Sequence, residues 1–210
     1  MIQRICLIIP PSLFLLDERV FMSLGILKVA AVLEQEGVTV ELLDLSGVMN
    51  YEEALAAHIE QSRVECFGIT ATTPQMPAAT KIHATIRRLR PSARIILGGP
   101  HVTLVYAAAK HERKRSVLGR ASRAVKQLTA MFDVLVTGDG ETAVFEALQA
   151  APSRIVDGDD RKSQYFLSNT SLEQLPFPAR HLVDVSTYQY TIDGTRALSI
   201  SADARTLWVS

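Results

Sequence analysis

The sequence predicts an α/β fold: a doubly wound, five-stranded parallel sheet with helices on both faces, followed by a C-terminal hairpin and linker extension. Three observations carry that reading. Five apolar runs of strand length, at residues 5–9, 38–43, 66–70, 94–97 and 132–137, alternate with longer stretches of helical period. Runs such as RICLII and RIILG are continuous in branched apolar residues, as in strands buried on both faces. Four of the five stop at turn-forming residues: Pro10-Pro11, Thr72-Thr73-Pro74, Gly98-Gly99-Pro100 and Gly138-Asp139-Gly140.

Each element follows from local chemistry. The first strand, residues 5–9, breaks at two prolines and runs into the apolar loop SLFLLDERVF. Leu13, Phe14, Leu15 and Leu16 either pack beneath another element or meet an apolar ligand, and packing is the expectation. Ser23 is the N-cap candidate of a helix over 24–36, with Leu24, Leu27, Ala31 and Val32 on one stripe and Gly37 as its stop. After the second strand, Asn50 caps a helix over 51–62 with Glu52 and Glu53 in its first turn. His58 in that helix reads as a surface residue rather than a ligand. The third strand, Cys66–Thr70, ends in Thr70-Ala71-Thr72-Thr73-Pro74, whose hydroxyls can bond a ligand or cap the next helix, at 77–89.

The fourth strand ends at two adjacent glycines. A turn without side chains there serves either as a floor for a flat ligand or as a tight loop that needs glycine for geometry. After His101 comes a basic tract from Lys110 to Lys126 without interleaved aromatics, which reads as a solvated helical face and not as a nucleic-acid surface. The fifth strand leads into Gly138-Asp139-Gly140-Glu141 and a helix over 142–150. Its G-x-G-x-x-A spacing follows the fifth strand, where a dinucleotide site needs the first.

Crossover handedness favours the flavodoxin-like order 2-1-3-4-5, which makes the first, third and fourth strands central neighbours. Their carboxyl ends then bring the apolar, hydroxyl and bare loops to one rim, with GDGE beside them: a site for a large, flat, partly apolar ligand. Residues 1–150 are expected to form this domain and residues 151–210 an extension. In the extension, 154–156 and 165–167 read as one hairpin, LPFP as a stiff linker, and 188–192 with 197–200 as a second hairpin turning at Asp193-Gly194.

Composition narrows the function. Lys plus Arg and Asp plus Glu both number 22, so no global field draws the chain to nucleic acid or membrane. The 48% hydrophobic content suits a substantial core, but no eighteen apolar residues run together. Cys6 and Cys66 lack metal-site spacing and read as core residues of a reduced, cytoplasmic protein. No metal ligand set and no catalytic group are read from the sequence. Asp139 and Glu141 are lone loop carboxylates.

The ordered set SLGILKVAAVLEQEGVTVELLDL, GITATTPQ, IILGGPHVT, FDVLVTGDGE and SLEQLPFPARHLVD closely resembles the cobalamin-binding domain and linker of B12-dependent radical SAM proteins. The resemblance covers nearly the whole chain. It implies a corrinoid on the carboxyl rim with its nucleotide tail beside the central strands, contacted by Pro11, Ser12, Leu13, Phe14, Leu24 and Gly25. Thr70, Thr72 and Thr73, with Ala71, would bond the tail or the corrin amides. Gly98, Gly99, Pro100, His101 and Val102 would let the tail pass, and Gly138, Asp139, Gly140 and Glu141 would border the pocket.

Two departures qualify the likeness. Many corrinoid carriers place Asp-x-His-x-x-Gly after the first strand, and this chain has no such motif, so cobalt's lower face is expected to meet apolar side chains. The family also continues into a barrel opening with Cys-x-x-x-Cys-x-x-Cys, which holds an iron-sulfur cluster and S-adenosylmethionine. Here the chain ends ALSISADARTLWVS, short of that motif. A one-base shift of frame, with one permissible codon choice, turns ADARTLWVS into PTQGRCGFP, which resembles its start. The expected function is a cobalamin-binding module of a methyltransferase-like enzyme, inactive alone, to which a barrel domain or a separate protein would dock through the extension. The alternative is a corrinoid-free interaction or regulatory domain.

Overall fold

The computed structural model describes residues 2–12, 14–15, 18–188, 190–192, 195–200 and 207–209, with side chains described up to Tyr188. β1 (Arg4–Ile9), α1 (Leu24–Gln35), β2 (Thr39–Asp44), α2 (Tyr51–Gln61), β3 (Cys66–Thr70), α3 (Met76–Leu89), β4 (Arg94–Gly98), α4 (Pro100–Lys114), α5 (Arg120–Met131), β5 (Val134–Thr137) and α6 (Gly140–Ala147) follow the expected alternation. The sheet is parallel, in the order β2-β1-β3-β4-β5-β6, so the flavodoxin-like arrangement stands with one strand more than the five expected.

The sixth strand, β6 (Ile155–Asp157), corrects the reading of residues 154–167 as a hairpin. It pairs parallel with β5, Leu135 opposite Ile155 and Thr137 opposite Asp157, and residues 165–167 form no strand. Its three residues are too few for alternation to distinguish an edge strand from a hairpin arm. The extension continues through α7 (Asn169–Glu173), β7 (Tyr190–Ile192), β8 (Thr195–Ile200) and β9 (Leu207–Val209). β7 and β8 are antiparallel, as the second hairpin requires, although Asp193 and Gly194 lie outside the described residues. β9 pairs with β8 and was not expected.

The period-2 geometry of each strand sorts its residues to two faces. Cys6, Ile8, Phe67, Ile69, Ile95, Leu97 and Leu135 pack against helices α2 to α5. Ile5, Leu7, Ile96, Val134 and Val136 pack against α1 and α6. The extension returns along α1: the Ala179 N–H donates to the Leu27 carbonyl at 3.0 Å, and Lys28 Nζ to the Pro176 carbonyl at 3.2 Å. Tyr188 then buries its ring beside Met22 and Leu27, and its hydroxyl donates to Asp44.

The basic tract divides into the end of α4 and the first part of α5. Its Arg113, Lys114, Arg115, Arg120, Arg123 and Lys126 are exposed, while Lys110 pairs with Asp157 at 3.0 Å. Between the helices, Glu112 accepts from the backbone N–H groups of Gly119, Ala121 and Ser122 and from the Ser122 hydroxyl, which satisfies the start of α5. Those donors hold its carboxyl down from its ordinary 4.5 to about 2. A depressed acid pKa means the folded form releases the proton more readily, so this contribution is complete above about 4.5 and is lost as pH falls toward about 2. Glu112→Gln is expected to lower the melting temperature at neutral pH and to shrink the loss of stability on acidification across that range. Thermal melts on both proteins over the acid range check it.

Candidate cofactor-binding site

The carboxyl rim is stitched together by main-chain contacts. Gln75 Nε2 donates to the Pro10 carbonyl at 2.7 Å, tying the loop after β3 to the loop after β1. The Ala71 N–H donates to the Gly98 carbonyl at 3.1 Å, and the His101 N–H to the Ala71 carbonyl at 3.0 Å. Thr103 Oγ1 donates to the Gly99 carbonyl at 3.1 Å and accepts from the Gly138 N–H at 2.9 Å, which joins the turns after β4 and β5. The Gly158 N–H completes the belt by donating to the Thr137 carbonyl at 2.8 Å.

Two of these turns need glycine outright. Gly99 has φ +94°, and a β-carbon there would lie 2.6 Å from Thr70 Oγ1 and 2.8 Å from the Ala71 nitrogen. At Gly138, φ is +76° and a β-carbon would lie 2.4 Å from the Asp159 nitrogen. Both positions are bare because another turn of the same chain occupies the space. Gly98 and Gly25 differ: nothing crowds their faces, and both open onto a slot.

That slot has a volume of about 610 Å³ and lies on the α1/α6 face of the sheet. Ile5, Leu7, Ile96 and Val136 form its floor, and the first turns of α1 and α6 form its walls. Gly68, in the middle of β3, faces the floor, where a β-carbon would stand 2.8 Å from Leu7 Cδ2. Gly140, the first residue of α6, lets that helix close on α1, since a β-carbon would meet Val29 Cγ2 at 2.9 Å. The slot is therefore open at the rim, narrow and apolar below, and of a size that suits a flat organic group.

Of the residues singled out from the sequence, Gly25, Thr70, Gly98, Gly99, Pro100 and the run Gly138 to Glu141 line this slot. Thr72 does not: its N–H and hydroxyl both donate to Gln75 Oε1 in a capping box. Thr73 Oγ1 bonds His101 Nδ1 at 3.0 Å at the rim. Ala71 and Val102 are fully buried in the core of the opposite face. Pro11 and Ser12 are buried in the loop after β1, and Leu13 lies outside the described residues. Phe14 and Leu15 are 73% and 58% exposed, which overturns for these two the expectation that they pack beneath a protein element, while Leu16 also lies outside the described residues. Leu24, placed on the buried stripe of α1, is 48% exposed.

Gly68, Thr103, Gly158 and Phe166 belong to the site and were missed. A glycine inside an apolar strand run was the available signal for the first. Glu141 is 9% exposed at the start of α6, and burial, reinforced by the charge of Asp139, raises its pKa.

The fold and the slot define a doubly wound α/β domain with an open slot at its carboxyl rim, between its first and sixth helices. The family described as B12 binding domain matches residues 18–129, more than half of the chain, and the chain belongs to that family. Among solved structures it is similar to the radical S-adenosylmethionine methyltransferase TsrM from Kitasatospora setae with tryptophan substrate and the SAM analogue aza-SAM bound. The identity is 21% over 46% of this chain and 19% of that one, with a TM-score of 0.41. For TsrM with cobalamin and a [4Fe-4S] cluster bound, the identity is 22% over 47% of this chain and 18% of that one, with a TM-score of 0.40. The chain thus spans about a fifth of the length of these structures. No curated protein matches it. Among the described residues no helix is long and apolar enough to cross a membrane.

Two measurements probe the rim. Gly138→Ala is expected to lower stability by about 1–3 kcal/mol from backbone strain alone, before the Asp159 contact is counted; urea unfolding gives the number. A raised acid pKa means the folded state holds its proton longer, so the stability from Glu141 is complete at low pH and is lost as pH rises through the folded value. Glu141→Gln should remove that loss and melt higher than the parent near neutral pH.

Proposed function

We propose that the chain binds cobalamin as a module of a B12-dependent radical SAM methyltransferase-like protein. The single observation that carries the reading is the open slot over Gly68, between the first turns of α1 and α6, in a chain of the B12 binding domain family. Ile5, Leu7, Ile96 and Val136 would cover the faces of the cofactor's aromatic tail, while Thr70 and the backbone around Gly98 and Gly99 would hold its polar edge. When bound, cobalamin supplies a cobalt centre able to carry a methyl group. The chain's part is to bind the tail, exclude water from it and present the opposite face of the ring.

The lower face of the ring would meet Phe14 and Leu15, which stand exposed at the rim. His101 is not proposed as a cobalt ligand, because the residue does not line the slot. Residues 1–150 would serve as the cofactor domain and 151–210 as the connection toward a catalytic barrel in the same or a separate chain, with β6 completing the sheet at the junction. The cofactor domain by itself would hold cobalamin, and turnover would belong to the barrel.

Purified protein mixed with hydroxocobalamin and desalted should retain about one equivalent. Gly68→Val puts its side chain against Leu7, 2.8 Å from the β-carbon, pushes Leu7 and two methyl groups into the slot, and should lower affinity at least tenfold, about 1.4 kcal/mol, with an unchanged circular dichroism spectrum. His101→Ala should leave the electronic spectrum of the bound corrinoid unaltered. Loss of all colour from a folded parent protein would instead support a corrinoid-free interaction domain.

A further inference from the structure

On the opposite face of the sheet from the slot, three side chains with metal-binding atoms meet. Cys6 of β1 and Glu41 of β2 are direct neighbours across the parallel register, and α2 lays His58 over both. His58 Nε2 is 2.9 Å from Glu41 Oε2 and 3.6 Å from Cys6 Sγ, and all three donor atoms lie within 4.8 Å of one another. Cys6 is fully buried and forms the base of the group, while the side chains of His58 and Glu41 are 28% and 27% exposed and form its mouth.

We propose that Cys6, Glu41 and His58 form a binding site for a divalent transition metal, with zinc as the best chemical match. The donor set is one sulfur, one imidazole nitrogen and one carboxylate oxygen, a mixture that a borderline-soft ion such as zinc accepts and that magnesium or calcium does not. Zinc bonds of about 2.3 Å to sulfur and about 2.0 Å to nitrogen at a tetrahedral angle put those atoms about 3.5 Å apart, close to the 3.6 Å between Cys6 Sγ and His58 Nε2. The 2.9 Å from His58 to Glu41 is a hydrogen-bond distance, and the ion would replace the shared proton and widen it.

The surroundings suit such an ion. Ser62 Oγ donates to both Glu41 oxygens, at 3.0 and 2.8 Å, and so fixes the carboxylate from behind. Burial and the Glu41 charge hold the Cys6 thiol protonated while no cation is near, and the ion displaces that proton to solvent. With thiolate and carboxylate bound, a dication leaves no net charge on a group that is half in the core. The fourth position opens at the exposed mouth, where water or a small anion can enter.

The full chain, free of corrinoid, titrated with Co(II) as the spectroscopic stand-in for zinc, should bind one equivalent with a sulfur-to-cobalt charge-transfer band that one equivalent of Zn(II) bleaches. Cys6→Ser should abolish the band. His58→Gln and Glu41→Gln, both at the surface and expected to fold, should each weaken binding at least tenfold. Cys66→Ala should keep it, because Cys66 faces the other side of the sheet. No band in the parent protein, a band that survives Cys6→Ser, or wild-type affinity in His58→Gln would each overturn the proposal.

Discussion

The rim of this sheet depends on backbone turns that approach one another more closely than a β-carbon permits. Gly99 presses on Thr70 and Ala71, Gly138 presses on Gly158 and Asp159, and Thr103 spans the two turns through its hydroxyl. Close approach lets main-chain groups pair directly between the turns after β3 and β4 and between those after β5 and β6, while the Gln75 and Thr103 side chains bridge the other turns. The mouth of the slot is therefore framed by a rigid, low-profile ledge rather than by rotamers that could fold into it. A single methyl group at Gly138 would have to displace main-chain atoms of the next loop, and no side-chain rotation relieves that.

This changes the meaning of the glycines. From sequence, a bare turn at a strand end is equally a ligand floor or a tight loop, and both are present in one motif. Gly98 opens onto the slot, whereas its neighbour Gly99 is needed by the protein's own packing. Adjacent letters thus serve different ends, and the distinction depends on what lies across the rim. Thr103 was invisible for the same reason: a threonine inside a helical run gives no sign that its hydroxyl joins the turn at Gly99 to that at Gly138, itself 35 residues away in sequence.

The strand order was legible because hydrophobic runs, turns and crossover handedness are local or general constraints. The third strand was placed residue for residue at Cys66–Thr70. What escaped depended on distant partners. β6 is recognisable only once β5 is beside it, with Thr137 Oγ1 donating to Asp157 Oδ1 at 3.0 Å. Cys6, Glu41 and His58 have no motif spacing at all; parallel register and the crossing of α2 bring them together. Phe14 and Leu15 were read as core because apolar loops usually pack, and in this loop they stand exposed.

The position of the slot follows from an imbalance in cover. Six strands at about 4.8 Å spacing make a sheet about 24 Å across between its outer members. Helices α2 to α5 cover one face, and α1 and α6, each about 10 Å wide, cover the other. Two helices cannot close a face of that width, although α6 meets α1 where its first residue, Gly140, lies against Val29. The gap falls over β1, β3, β4 and β5 and contains Gly68 and Gly98, floor positions with no side chain. The return of the extension along α1, through Ala179 and Lys28, covers the outer flank of that helix and leaves the gap open. The open slot on this face is thus a consequence of helix count, while the face covered by four helices is free to place a polar cluster such as Cys6, Glu41 and His58 at its edge.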